Sequence, residues 1–283
     1  MTDRSGATGT VGSIHRTARR LTAAGEELLD EVVAEEVAVA LVYNGVSHAV
    51  MMATPCDLED FARGFTLTER LVEKPSEIYD IEVADEDSRP GGRGIEVHLR
   101  IANQRMAALQ ERRRTLAGRT GCGLCGVDSI AEALRPVAPA AAKGIVQRSA
   151  IERAMAALPE WQHINRSNGA THAAGWATAD GTLIAAREDV GRHNALDKLA
   201  GALARLESTT PGSVAAGGFV VVTSRCSYEM VHKAAAIGAA AIAAVSAPTS
   251  LAIETAEEAG IALVAFVRSG RLTAYANADL IAA

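Results

Sequence analysis

From Phe219 onward the chain alternates short β-branched runs with amphipathic stretches: FVVVTS, Tyr228 to Gly238, Ala241 to Ser246, Pro248 to Gly260, and Ile261 to Val267. Strands and helices alternating at this length predict a parallel sheet with helices on its faces, since a parallel strand needs a crossover to reach its neighbour. Pro248 near the start and Gly260 at the end of the second helix are the expected punctuation. Open sheets of this kind bind ligands outside the carboxyl ends of their strands, so the loops there are the first place to look for a site. No internal repeat is visible.

The first half follows a different pattern. Glu36 to Tyr43 and Val46 to Thr54 are β-rich and separated by Asn44 and Gly45, a pair suited to the two positive φ angles of a type I′ turn. After Pro55, Asp57 is a candidate cap for a helix in which Leu58, Phe61, Ala62, Phe65 and Val72 recur at helical spacing. Strands over Ile78 to Ala84 and Gly94 to Leu99, then a helix from Asn103 to Leu116, complete an α+β pattern. A small-residue stretch from Val137 to Gly144 reads as a linker. The expected organisation is a disordered tail over residues 1–30, a smaller α+β domain over 31–136 and an α/β domain over 145–283.

The chain has 283 residues, 48% of them apolar, which is enough for a substantial core. Its formal net charge of -6 argues against general nucleic-acid binding, which needs a basic face to neutralise phosphates. Residues 1–30 hold Arg16, Arg19 and Arg20 but no apolar signal core, and no later run is long enough to span a bilayer. A protein of the cytoplasm, off the membrane, is the expectation. Four cysteines are too few for a disulfide framework and fit a reducing compartment.

Two of those cysteines, Cys122 and Cys125, lie in the glycine-laced stretch GRTGCGLCGVD. Between Arg100 and Arg119 there are six arginines against the single acid Glu111, a cluster that lowers thiol pKa or draws in a phosphorylated ligand. Structural zinc needs four ligands and the chain offers one pair, although two pairs meeting across a dimer axis would supply them. A thioredoxin-like pair opens a helix after a strand, whereas this one follows a basic helix. The elements of a zinc deaminase are missing. Sulfur handling remains: a thiolate accepts a sulfane sulfur as a persulfide, and a neighbouring thiol assists its release.

The blocks TGCGLCG (Thr120 to Gly126), GATHAAGW (Gly169 to Trp176), EDVGRHNALDK (Glu188 to Lys198), TSRCSYEMVHKA (Thr223 to Ala234), AVSAPTSLAIE (Ala244 to Glu254) and AFVRSGR (Ala265 to Arg271) occur in that order. In these blocks the chain resembles the formate dehydrogenase accessory sulfurtransferases from about Glu35 to Tyr275. The resemblance implies transfer of sulfur from a cysteine desulfurase to the bis-molybdopterin guanine dinucleotide cofactor of formate dehydrogenase. It implies an α/β fold: an α+β N-terminal part with a C-terminal domain of cytidine-deaminase-like three-layer architecture, without the zinc site. It also implies a homodimer. Carried over by position, Cys122 matches the persulfide cysteine and Cys125 its partner, while Phe266, Val267, Arg268, Ser269, Gly270 and Arg271 match the cofactor-binding segment. Asn168, where relatives often have Thr, and Cys226, where a small residue is usual, depart from the family pattern.

Three further groups are read against plainer alternatives. Gly191, Arg192 and His193 precede a helix from about Asn194 to Leu206 and suit an anion site, the alternative being capping by Asp189 with Arg192 in water. Ser224 and Arg225 follow a predicted parallel strand and both can donate. Phe266 offers a face to a base, and Arg268 and Arg271 offer charge to phosphate, so GDP is the expected analogue ligand; the alternative is a hairpin turn with both arginines in solvent. Two other functions stay open: a cofactor-binding chaperone without sulfur transfer, and a dimeric zinc protein.

Overall fold

A computed structural model describes residues 11–86, 93–106, 137, 144–214, 216–268 and 270–283. The cysteine loop, the expected helix beyond Met106 and nearly all of the expected linker lie outside the described residues.

Residues 1–10 of the expected tail lie outside the described residues, and from Ser13 on β1 (Ser13–Thr22) and β2 (Gly25–Ala34) pair antiparallel along their whole length instead. The correction has a physical source, because opposite charges alternate across this ribbon. His15 bonds Asp30 at 2.8 Å, Arg19 bonds Glu26 at 3.2 Å and Arg20 bonds Glu31 at 3.2 Å. Cross-strand ion pairs support a sheet that buries little.

The predicted hairpin is present as β3 (Val37–Tyr43) and β4 (Val46–Ala53), with Asn44 at φ 47° and Gly45 at φ 82° in the turn. With β5 (Ile78–Glu86) and β6 (Gly94–Ile101) they form a sheet of order β4-β3-β6-β5. Helix α1 (Leu58–Thr68) covers one face, burying Leu58, Phe61 and Ala62 against Val39, Leu41, Val97 and Leu99. Asp57 stands at its N-cap position but in the left-handed region, at φ 51°, and its side chain makes no capping bond. That carboxylate lies instead 3.6 Å from the guanidinium of Arg187.

The second sheet has the order β13-β12-β11-β10-β8-β9. Its strands are β8 (His172–Ala177), β9 (Leu183–Asp189), β10 (Phe219–Val222), β11 (Ala241–Ala244), β12 (Ala262–Arg268) and β13 (Arg271–Ala276). Only β10, β11 and β12 run parallel, and β8, β9 and β13 extend the sheet antiparallel on either side. The parallel sheet expected from the sequence is therefore a parallel centre in a mixed sheet. A short parallel pair, β7 (Val146–Gln147) with β14 (Ile281–Ala282), lies beside it.

Helix α2 (Arg148–Trp161) covers one face of the six-stranded sheet through Ile151, Ala154 and Leu158. It leads into the short α3 (His163–Asn168). On the other face lie α4 (Arg192–Thr209), α5 (Tyr228–Ala236) and α6 (Ser250–Ala259), with Leu196, Leu199, Met230 and Ala256 in the core. This is the expected three-layer α/β arrangement. The cap of α6 is Thr249, whose hydroxyl accepts from Ala252 N at 3.2 Å, so Pro248 stands just before the helix.

The two halves join where α1 crosses α4. A Cβ on Gly64 would lie 1.7 Å from the carbonyl oxygen of Asp197, and one on Gly201 would lie 1.9 Å from that of Asp60. The backbones touch, and only glycine permits this. Around the crossing the charges are paired: Arg187 and Arg205 both bond Asp60, while Lys233 bonds Asp197 and Glu69. Burial disfavours the charge on Lys233, but the adjacent Asp197 and Glu69 more than reverse this and push its pKa up. Burial also pushes the Asp197 carboxyl up. Its oxygens nonetheless accept from the ammonium and from the Thr68 hydroxyl, at 2.6 Å, which is the bonding of a carboxylate.

Candidate functional site at the carboxyl edge of the large sheet

The topology brings three of the expected groups to one end of the six-stranded sheet. His172 opens β8 opposite Asp189, which closes β9, and the pair lies beside the carboxyl end of β10. Gly191, Arg192 and His193 follow Asp189 into α4, with Gly191 at the N-cap. Ser224 and Arg225 follow β10, and Phe266 to Arg268 end the parallel strand β12.

Beyond the strand ends the loops are tied to one another. Thr223 N donates to Ala173 O at 3.1 Å and its hydroxyl accepts from Ala173 N at 2.9 Å. Cys226 N donates to Ala247 O at 3.1 Å, and Thr249 N donates to Cys226 O at 3.0 Å. Cys226 itself is fully buried, and desolvation pushes its thiol up to about 12. It is therefore an inert packing group rather than a loose thiol beside the ligand.

His193 Nε2 lies 2.8 Å from Glu229 and 3.3 Å from the Ser227 hydroxyl, which bridges the N-termini of α4 and α5. The carboxyl of Glu229 is held below its ordinary range chiefly by that bond to His193. His172 is half-buried, and its pKa is lowered by desolvation first and by the charge of Arg192 second. Asp189 is not the cap of α4, since Gly191 holds that position with no side-chain capping bond, but its carboxylate holds the turn before the helix by accepting from Gly191 N at 2.7 Å. Its Oδ1 also accepts from Asn194 Nδ2 at 3.0 Å.

The segment from Phe266 to Arg271 is a hairpin, with Arg268 opposite Arg271 across the turn and both exposed. Ser269 lies outside the described residues. Phe266 has φ 54° within an irregular stretch of β12, a left-handed conformation that a bulky residue adopts only at a cost. Its ring packs 6.4 Å from Tyr275, and the Arg268 guanidinium lies 5.9 Å from its centre. Val267 is buried and belongs to the sheet core. Ser224 is buried and donates its hydroxyl to Arg225 O at 2.9 Å, so it shapes the loop, whereas the Arg225 side chain is exposed.

Among the described residues, Arg192, Arg225, Arg268 and Arg271 have no carboxylate partner, in contrast to Arg93, Arg105, Arg187 and Arg205. Unpaired guanidinium groups at the carboxyl edge of an open sheet, near the starts of α4 and α5, fit an anionic ligand. Cys122 and Cys125 lie outside the described residues.

Sequence reasoning saw Asp189 only as a candidate cap and passed over the other residues that hold this edge in place. Asp189 and Lys198 form an ion pair of 2.7 Å with both side chains wholly buried. Glu188 accepts from Ile164 N, Asn165 N and the Thr171 hydroxyl at 2.8 to 2.9 Å, fixing the start of α3. These acids and the lysine sit inside EDVGRHNALDK, where two acids close a strand and Lys198 stands at a buried helix position.

The fold and edge define an open-sheet α/β protein with arginines gathered at the carboxyl end of its large sheet, built beside a second, α+β half. More particularly, the chain belongs to the FdhD/NarQ family, whose model matches residues 34–282. It is 54% identical over 254 residues, 89% of this chain and 85% of the other, to the sulfur carrier protein FdhD of Cupriavidus necator. It is 49% identical over 247 residues, 87% and 85% of the two chains, to that of Bordetella petrii. A crystal structure of a putative formate dehydrogenase accessory protein from Desulfotalea psychrophila shares the fold, with a TM-score of 0.69 at 24% identity over 95% of this chain and 99% of that one.

Proposed function

We propose that this protein is a sulfurtransferase that receives sulfur from a cysteine desulfurase and passes it to the bis-molybdopterin guanine dinucleotide of formate dehydrogenase. The relatives' name, sulfur carrier protein, supports the carrier role. The unpaired arginines at the sheet edge support a dinucleotide ligand. In the first step the Cys122 thiolate attacks the sulfane sulfur of a persulfide on the desulfurase. The sulfur–sulfur bond breaks, the desulfurase leaves as thiolate, and Cys122 holds the persulfide with no net oxidation. Cys125 assists release by attacking Cys122, expelling hydrosulfide toward the acceptor and leaving a disulfide that a cellular thiol reduces.

The residues present fit the guanine dinucleotide end of the acceptor. Arg192, Arg225, Arg268 and Arg271 supply charge for its diphosphates, and Phe266 supplies a ring for stacking. GDP is the minimal ligand with the same groups. The reading includes a homodimer working in the cytoplasm, each copy bringing one cysteine pair to an acceptor with two pterin halves.

Mass spectrometry after incubation with a cysteine desulfurase and cysteine tests the carrier role. One extra sulfur on the peptide bearing Cys122, absent from Cys122→Ala, is the expected result. A protein that gains no sulfur, yet still binds the cofactor, is a chaperone instead.

A further inference from the structure

The turn from Asp189 to Gly191 aims Arg192 and the first N–H groups of α4, and its geometry is fixed partly from the other half of the chain. Thr54, directly after β4, is wholly buried and reaches the turn through its backbone and its side chain. Its N donates to Asp189 Oδ2 at 3.0 Å, its Oγ1 accepts from Val190 N at 3.1 Å, and its O accepts from Lys198 Nζ at 2.9 Å. Lys198 Nζ also lies 3.4 Å from Glu188 O and 3.7 Å from Cys56 Sγ. Asp189 is thus saturated, with Gly191 N and Asn194 Nδ2 on one oxygen and Thr54 N and Lys198 on the other. The space inside the turn is filled as well, since a Cβ on Gly191 would lie 2.9 Å from Asn194 Nδ2.

A buried ion pair is seldom the most stabilising filling for a core, because desolvation consumes most of its Coulombic gain. What it provides here is direction: every acceptor site on Asp189 is assigned to a different donor, one from the turn, one from Thr54 and two from α4. From this we infer that Thr54, Asp189 and Lys198 are positioning residues for the nucleotide site, setting where Gly191, Arg192 and His193 stand without touching the ligand. The α+β half thereby helps to form a binding edge that lies on the α/β half. Groups already fixed in the binding geometry lose less freedom on association, so release of this turn weakens binding even where every ligand contact is retained. The inference rests on the nucleotide reading of the site.

Thr54→Val keeps the shape of the side chain and removes the acceptor for Val190 N, whereas Thr54→Ser retains that acceptor. Calorimetric titration with GDP, on protein whose folding is checked by thermal unfolding, distinguishes the possibilities. The expected result is a Kd about fivefold weaker for Thr54→Val, the loss of one ordinary hydrogen bond, with Thr54→Ser within about twofold of the unaltered protein. A lowered Tm for Thr54→Val with unchanged GDP affinity overturns the inference and leaves Thr54 a structural residue. No GDP binding by the unaltered protein removes the nucleotide reading and this inference with it. Should Thr54→Val fail to fold, Asn194→Ser, which removes the Nδ2 donor to Asp189 from the other side, decides by the same comparison.

Discussion

Replacing Gly64 with alanine is the sharpest perturbation of the joint between the two halves. The new methyl would lie 1.7 Å from Asp197 O and 2.7 Å from Gly201 N, both backbone atoms that no rotamer change can move aside. Relief requires α1 and α4 to separate by about 1.5 Å, and overpacking of this kind costs about 1–3 kcal/mol. The same displacement stretches the 2.6 Å bond from the Thr68 hydroxyl to Asp197, a charge-assisted contact worth about 1.5–3 kcal/mol. Alanine returns about 1 kcal/mol through its better helix propensity. The net expectation is a loss of about 1.5–5 kcal/mol, or roughly 3–20 °C in Tm for a chain of this size. Gly201→Ala, whose methyl would lie 1.9 Å from Asp60 O, should behave alike. Gly144→Ala is the control, because its nearest neighbour would be 3.6 Å away, and it should change stability by no more than about 0.5 kcal/mol. Urea denaturation followed by tryptophan fluorescence measures all three. Gly64→Ala within 1 kcal/mol of the unaltered protein would refute the close crossing.

Burial alone would raise the Asp60 pKa, but hydrogen bonds from Arg205 and Arg187 outweigh it and hold the carboxyl below its ordinary value. Its stabilisation is therefore complete above the unfolded carboxyl range and lost as pH falls through the folded value. Asp60→Asn should cost about 3 kcal/mol at neutral pH and flatten the decline in stability between about pH 5 and pH 2, as read by denaturation across that range. Arg271→Glu should weaken GDP binding by about 1.5–3 kcal/mol in calorimetry, and unchanged affinity in folded protein would move the phosphate site elsewhere. Light scattering at micromolar concentration should give twice the chain mass; a monomer mass would remove the homodimer.

The strands from Val37 to Ala53 and the alternation after Phe219 were legible because their apolar periods match the faces they bury. The ribbon from Ser13 to Ala34 was not, since ion pairs rather than a buried face hold it and its composition resembles that of a tail. The mixed sheet was also missed: β8 and β9 precede the alternating run, and their antiparallel pairing to β10 depends on contacts distant in sequence. At the candidate site, the strand-and-helix pattern was enough to place Arg225 and Phe266 at strand ends and Arg192 at the start of a helix. The roles of Thr54, Asp189 and Lys198 depend on partners up to 144 residues apart, a separation at which local pattern carries no signal.

Helix α1 is packed on two sides. One side closes the core of the four-stranded sheet and the other meets α4 with backbone against backbone and charge against charge. Neither half is therefore a portable module. A fragment ending before residue 145 would expose Asp60 and Thr68 without their partners, and one beginning there would leave Asp197, Lys198 and Arg187 facing water across a bare helix. Swapping either half between relatives should succeed only when α1 and α4 travel together, so the unit that natural variation can exchange is the pair of helices rather than the sheet each one covers.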